Sequence, residues 1–292
     1  MNRVYCFLDF EFTIHPNDKP QEILSIGCVF SDEKGHIVEQ YSTVVRPKRY
    51  RKLSKMCTKV LGITQQMVED APSFRSAMNE FYRLYNKYTP KKCFVWGSSD
   101  KYVLRQSMRY CSVSKPIWDV VNHFVNFQMV VKNKIPYKKT TPADMLSLTN
   151  ACWLYNLNYN HNFDALEDAI GLKKLYYAYV HRSYNISRLL VFNEFYRHKT
   201  NIICYNNYQN LLDRLTQRLE TTFNQLQDLN VIIRSSTPID TSKIIEDSNA
   251  LVTQYLEYQE RIAKVQQDLD ALSPEIKTSI EFVEQYKGII EE

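Results

Sequence analysis

The sequence predicts an α/β domain, one mixed sheet flanked by helices, followed by an all-α tail. Three observations predict it. Three strand-like runs open the chain, strand then alternates with helix, and no Gly or Pro falls between Gly171 and Pro238, so helix can run almost unbroken into the tail.

The elements follow in order. Val4–Phe12 is apolar and aromatic, Glu22–Phe30 follows the loop HPNDKP, and His36–Val45 follows the turn DEKG, a spacing that suits an antiparallel meander. A basic segment, RPKRYRK at 46–52, leads to helical patterns through Met67–Glu69 and Ser73–Tyr88. Lys92–Trp96 reads as another strand and Asp100–Tyr110 as a helix. Thr141-Pro142-Ala143-Asp144 combines a capping Thr, a proline at the first helical position and an acid at the third. It predicts a helix reaching Leu157.

The tail repeats a different pattern. Leu212, Leu215, Leu219, Leu226, Leu229 and Ile233 keep a 3–4 spacing that breaks at RSSTPID and resumes at Leu251, Tyr255, Tyr258, Ile262, Val265, Leu269 and Leu272. Two such segments either side of a Pro-containing turn predict an antiparallel helical hairpin or a coiled coil. Ser273-Pro274-Glu275 reads as the start of a short last helix. The expected division is therefore 1–200 and 201–292. The tail either packs on its own domain or offers a surface to a second copy or a protein partner.

Charge divides the same way. From Asn201 onward 8 Lys/Arg face 15 Asp/Glu, whereas residues 1–200 carry 29 against 17. The basic part is the candidate for a polyanionic partner. With 44% hydrophobic and 24% charged residues the composition is that of a soluble globular protein. The run MNRVYCFLDF is too short for a signal-peptide core, and no stretch approaches the roughly 18 apolar residues of a membrane helix. The seven cysteines (Cys6, Cys28, Cys57, Cys93, Cys111, Cys152, Cys204) are scattered without a CxxC. That pattern argues against a disulfide framework and a zinc site, and for buried thiols in a reducing, cytoplasmic setting.

The chemistry lies in the carboxylates. Asp9 and Glu11 are two apart in a strand, so both project from one face, among the apolar Cys6, Phe7, Leu8, Phe10 and Phe12. Two carboxylates crowded there repel each other and lose hydration, a cost of several kcal/mol unless a cation compensates. Hard divalent ions prefer such oxygens. A lone DxE is common on exposed strands, so its company decides. Asp100 follows CFVWGSSD and opens a helix, where it also suits an N-cap. Asp168 lies in NFDALEDAIGL, where it also suits a solvated helix face.

These motifs resemble a family. DFEFT, EILSIGCVF, the block VVRPKRYRKLSKMCTKVLGITQQMVEDAPSF, WGSSDKYVL and ALEDAIGLKKLY together resemble the DEDD (DEDDh-like) 3′→5′ exonucleases, in their KapD-like, small-RNA-trimming branch, over residues 3–178. The resemblance implies an RNase H-like fold and 3′→5′ hydrolysis of single-stranded nucleic acid, with RNA favoured over DNA. It also implies two divalent ions, Mg²⁺ or Mn²⁺, on Asp9, Glu11, Asp100 and Asp168. Asp9 would touch both ions, Glu11 and Asp168 one each, and Asp100 would act partly through water.

One position departs from the pattern. The histidine subclass carries its general base five residues before the last Asp, and that position is Phe163 here. The tyrosine subclass uses the position four before, which is Asp164. His161, seven before, is the nearest substitute. Two readings follow: a working enzyme with His161 as base, or a catalytically weakened nuclease-fold module that binds nucleic acid, its helical tail serving as a protein scaffold.

For the strand itself, Arg46, Lys48, Arg49, Arg51 and Lys52 of RPKRYRK form one basic cluster, and Lys132, Lys134, Lys138 and Lys139 a second. Both suit phosphate contacts with salt-sensitive, sequence-independent affinity. The resemblance adds Phe12, Thr13, Leu61 and Ile63 beside the nucleic acid, the last three bordering its terminal nucleotide. Some of the 21 tyrosines are expected to act as stacking platforms.

Overall fold

β1 (Val4–Phe12), β2 (Ile23–Asp32) and β3 (Ile37–Val44) form the antiparallel meander that the spacing of the three runs predicts. The computed structural model describes residues 3–14, 21–137, 145–159, 161–234 and 241–290. At the β2–β3 turn the Asp32 carboxylate accepts from the Lys34 and His36 amides, each at 2.9 Å, and Gly35 supplies a φ of +87°.

The chain then forms α1 (Lys55–Leu61), α2 (Gln65–Asp70) and α3 (Phe74–Tyr88) before β4 (Cys93–Val95) enters parallel to β1. After α4 (Ser99–Tyr110) and α5 (Lys115–Asn122), the short β5 (Val125–Asn126) adds to β4 and leads into α6 (Phe127–Lys132). The sheet order is β3-β2-β1-β4-β5, which puts β1 at the centre. A strand covered on both faces must be apolar almost throughout. Cys6, Leu8 and Phe10 accordingly face a core shared with α3, α4 and α5. On the opposite face the Phe7 ring meets Tyr176 and Tyr177 of α8 (Ala165–His181), with centroids 5.3 and 6.3 Å away.

α3 shows why the pattern folds as read. Ser73 caps it by accepting from the Ser76 amide, and Phe74, Ala77, Met78, Phe81 and Leu84 bury one helical stripe. Phe81 is fully buried, so truncation to Ala would cost about 3–5 kcal/mol.

Three expectations need correction. Residues 141–144, where the Thr-Pro-Ala-Asp helix start falls, lie outside the described residues. Residues 145–147 are not helical, and α7 spans only Leu148–Leu154. Ser147 is the cap, accepting from the Asn150 amide at 3.1 Å, so a serine six residues later supplies the start signal. Helix is also interrupted after α8: Arg182 is extended, and Asn185 restarts the chain by accepting from the Arg188 amide at 3.0 Å. Finally, no helix begins at Ser273-Pro274. α9 (Ile186–Arg234) is followed by α10 (Thr241–Ile290), which runs through Pro274. An interior proline costs about 3 kcal/mol, but buried Leu269 before it and Ser279 and Val283 after it continue one stripe through the fault.

The chain packs as two compact units, Met1–Phe192 with Ile289–Glu292, and Asn193–Gly288. In the second, α9 and α10 are antiparallel. Leu215 clusters with Val265 and Leu269, Phe223 meets Tyr255 nearer Arg234, and buried His198 shares a 2.9 Å hydrogen bond with Ser279 at the far end. Among the described residues, no helix is long and apolar enough to cross a membrane.

Candidate functional site

A glycine makes the site possible. Asp9 pairs across the sheet with Gly27, on the face that α8 covers. A Cβ on Gly27 would lie 1.9 Å from the Ala165 carbonyl oxygen, so only glycine lets the first turn of α8 settle onto β2 there. Asp164 caps that turn, its carboxylate accepting from the Leu166 and Glu167 amides at 2.8 and 3.3 Å. Asp168, one turn on, is thereby set over the carboxylates of β1. One ligand oxygen from each of Asp9, Glu11 and Asp168 falls within 4.8 Å of the others.

Asp100 arrives from the opposite side. β4 ends beside Leu8, Gly97 turns the chain with a φ of +91°, and Asp100 stands in the first turn of α4. All four acids line one cavity of about 400 Å³. Asp100 is buried, and its Oδ2 has no hydrogen-bond partner. Burial, then the charges of Asp100, Asp168 and Glu11, hold Asp9 well above the ordinary carboxylate range. Glu11 is pushed up to about 7 by burial and then by Asp168. Asp100 is pushed up to about 8 by burial, Glu11 and Asp168. An unpartnered oxygen among mutually repelling acids is the donor set that a hard divalent cation fits.

Asp168 is held from two sides. The Tyr159 hydroxyl donates to its Oδ1 at 2.5 Å, and His161 Nδ1 lies 2.9 Å from its Oδ2. The hydrogen bond to Asp168 raises the His161 pKa, against the lowering effect of burial. Phe163 holds its backbone at φ +55°, a left-handed conformation costing about 1–3 kcal/mol outside glycine. Its ring meets that of His161 edge-on at 4.3 Å. The sequence pattern leaves the position of Phe163 without a base; in the structure the loop turns so that His161 reaches the last acid.

Sequence patterns single out neither Tyr159 nor Trp96 and Gln128, which line the same cavity. The signal for Tyr159 lies three residues beyond Asp168: a Cβ on Gly171 would fall 2.4 Å from the Tyr159 ring.

The binding residues expected from sequence sit elsewhere. Neither Phe12, Thr13, Leu61 and Ile63 nor the 46–52 segment lines the acidic cavity. Thr13 is fully buried and accepts from the Glu22 amide at 2.9 Å, while Ile63 is buried in a small core with Leu24, Cys57 and Val68, against which Leu61 packs. Phe12 packs on the main core. The basic segment wraps around buried Glu22, whose carboxylate accepts from the Lys48, Arg49 and Tyr50 amides at 2.9 to 3.1 Å. Lys48 donates to the Tyr110 carbonyl, Arg49 lies over the Tyr110 ring and Arg46 reaches the Glu69 carbonyl. Arg46, Arg51 and Lys52 border a cleft of about 770 Å³. Lys134 donates to the Tyr179 carbonyl. Lys138 and Lys139 lie outside the described residues.

Residues 6–176 match the RNase T-type family model, described as Exonuclease. The probable 3′-5′ exonuclease KapD of Bacillus subtilis is 36% identical over 118 residues, 37% of this chain and 55% of that protein. The 3′-5′ exoribonuclease 1 of Rattus norvegicus is 28% identical over 127 residues, 42% of this chain and 32% of its own. The matched region thus spans about half of the Bacillus protein and a third of the rat one. Among solved structures, the nuclease domain of 3′hExo, a DEDDh family member bound to rAMP, superposes with a TM-score of 0.55 at 18% identity, covering 63% of this chain and 96% of that one. The shared fold is the five-stranded mixed sheet with its flanking helices.

Proposed function

The chain belongs to the exonuclease family, and from that premise we propose that it removes nucleotides from single-stranded 3′ ends, RNA ahead of DNA, with two divalent ions, Mg²⁺ or Mn²⁺. The observation that carries this reading is the meeting of Asp9, Glu11 and Asp168 within 4.8 Å, with the unpartnered Oδ2 of Asp100 buried in the same cavity. When bound, the ions supply Lewis acidity at the scissile phosphate and lower the pKa of a water.

The chain's own residues do the rest. Asp9, on the central strand and opposite Gly27, would serve both ions. Glu11 and Asp168 would each hold one, and Asp100 would complete the set. Tyr159 keeps Asp168 oriented through Oδ1. His161 turns Nδ1 to Asp168 and leaves Nε2 to take a proton from the attacking water. Arg51 and Lys52, on the open cleft, are the phosphate contacts we favour from the basic segment. The preference for RNA rests on the branch that the motifs resemble and on the rat relative's name.

The test is degradation of 5′-labelled single-stranded RNA and DNA with Mn²⁺, Mg²⁺ or EDTA, comparing wild type with Asp9→Ala. A metal-dependent ladder shortening from the 3′ end, absent in the variant, is the expected result. Binding without cleavage under every metal would replace the enzyme with a nucleic-acid-binding module.

A further inference from the structure

A second basic concavity lies away from the acidic cavity, where the β2–β3 turn meets the C-terminal half of α8. It measures about 290 Å³ and is bordered by Lys34, Lys173, Lys174, His181 and Arg182. Basic residues on a surface ordinarily form a solvated face. Here they converge on one cleft that no carboxylate lines. The nearby acids are engaged elsewhere: Asp32 with His36 and the turn amides, Glu33 with Arg3 at 3.5 Å. Lys173 donates to the Gly35 carbonyl at 2.9 Å, and burial followed by the charge of Lys174 lowers its pKa. Among the described residues, Lys34, Lys174 and Arg182 have no ion-pair partner.

We propose that this cleft is a phosphate subsite for the polynucleotide backbone upstream of the cut. The proposal rests on the exonuclease reading and places a second contact on the same substrate. α8 ties the two places together, since Asp168 is in its first turn. At 1.5 Å per residue, Lys174 lies about 9 Å and Arg182 about 20 Å further along the axis. The wall between them is shared as well. Leu157 lines the basic cleft, and Tyr159 and His161, just beyond, line the acidic one. A strand whose 3′ end occupies the acidic cavity and which leaves over that loop meets Lys174 first and Arg182 later. Because the cations contact only phosphate, the subsite adds length-dependent, sequence-independent affinity.

The test uses the full chain and the double variant Lys174→Ala/Arg182→Ala, both exposed positions. Binding of a 5′-labelled single-stranded 20-mer is followed in EDTA across a salt series, and hydrolysis of the 20-mer and of a dinucleotide is followed with Mn²⁺. In the variant the 20-mer should bind about tenfold more weakly near 0.1 M salt, and the slope of log K against log salt should fall by roughly 1.4, about 0.7 for each phosphate that is no longer neutralised. Dinucleotide hydrolysis should stay at the wild-type rate. An unchanged slope, a parallel loss on the dinucleotide, or no binding of the 20-mer by wild type would each overturn the subsite. If wild type binds the 20-mer but cuts nothing with metal, the exonuclease reading falls while the salt slope still decides the subsite.

Discussion

The Tyr159 hydroxyl donates a 2.5 Å hydrogen bond to Oδ1 of Asp168, and the Tyr159 ring lies where a Cβ on Gly171 would have to be. Burial, and then this bond, hold the phenol far above its ordinary pKa, so Tyr159 is a committed donor. Tyr159→Phe keeps the ring and removes the donor. A hydrogen bond to a charged group is worth about 1.5–3 kcal/mol. We expect kcat to fall about tenfold or more and Tm to fall by several degrees; a variant with wild-type kcat would remove the orienting role. Gly171→Ala should cost more, because the ring 2.4 Å away must move.

Gly27→Ala tests how the site is assembled. The added methyl meets the Ala165 carbonyl at 1.9 Å, and backbone cannot yield as a flexible side chain can. Overpacking of this kind costs about 1–3 kcal/mol or more, and here the displaced turn carries Asp168. The expected outcome is a lower Tm together with weaker Mn²⁺ stabilisation. A variant that melts lower yet retains the full Mn²⁺ response would separate the glycine from the metal site.

How much of this was legible in the sequence depends on the length scale of each signal. β1 was readable as a continuous apolar run and α3 as one helical stripe, and the acids stood out because Asp9 and Glu11 interrupt an apolar strand. The region from Lys115 to Lys132 was not resolved into α5, β5 and α6, because a two-residue strand and a six-residue helix carry almost no periodic signal. Pro274 suggested a helix boundary from local chemistry that the longer stripe of α10 overrides. The placement of Tyr159 and the turn at Phe163 depend on backbone geometry that no spacing rule encodes. The buried role of Glu22 was equally hidden, since its partners are the amides of residues 26 to 28 positions away.

The hold of Glu22 on those amides redirects the expectation for the basic segment. Arg49 lies over Tyr110 at 4.3 Å, whereas Arg51 and Lys52 are exposed on the open cleft. Arg51→Ala/Lys52→Ala should reduce the salt slope for single-stranded nucleic acid by roughly 1.4, and Arg49→Ala by much less. Equal effects from the two variants in a binding titration would argue against this division of roles.

Stability should depend on pH in a direction set by the acids. Glu11 and Asp100 are held at about 7 and about 8 in the folded metal-free protein, above their unfolded values. The folded state therefore binds those protons more tightly, and the contribution is complete below the unfolded pKa values. It is lost as pH rises through 7 and 8. The EDTA-treated protein should melt progressively lower between pH 5.5 and 8.5. A divalent ion offsets the repulsion, and at about a hundredfold its Kd it adds about 2.7 kcal/mol, or roughly 5–10 °C for a domain of this size. The increment should be larger at pH 8.5 than at pH 5.5. Melting curves with equal increments at both values would show that the ion does not bind these acids.

His161 separates the two readings of the site. Its Nδ1 lies 2.9 Å from Asp168, yet its side chain remains about 31% exposed, so solvent and substrate can reach the ring. If it is the base, His161→Ala should lower kcat by about 10²–10⁴ and leave the Mn²⁺-induced rise in Tm intact, since the carboxylates are untouched. His161→Gln, which can still hydrogen bond to Asp168, should be no better than Ala for turnover, because orientation without proton transfer does not replace a base. Rescue by Gln would reassign His161 to positioning Asp168. Full activity in both variants would mean that water itself, or another group at the cavity, carries the proton, and that Phe163 marks a site working without a protein base.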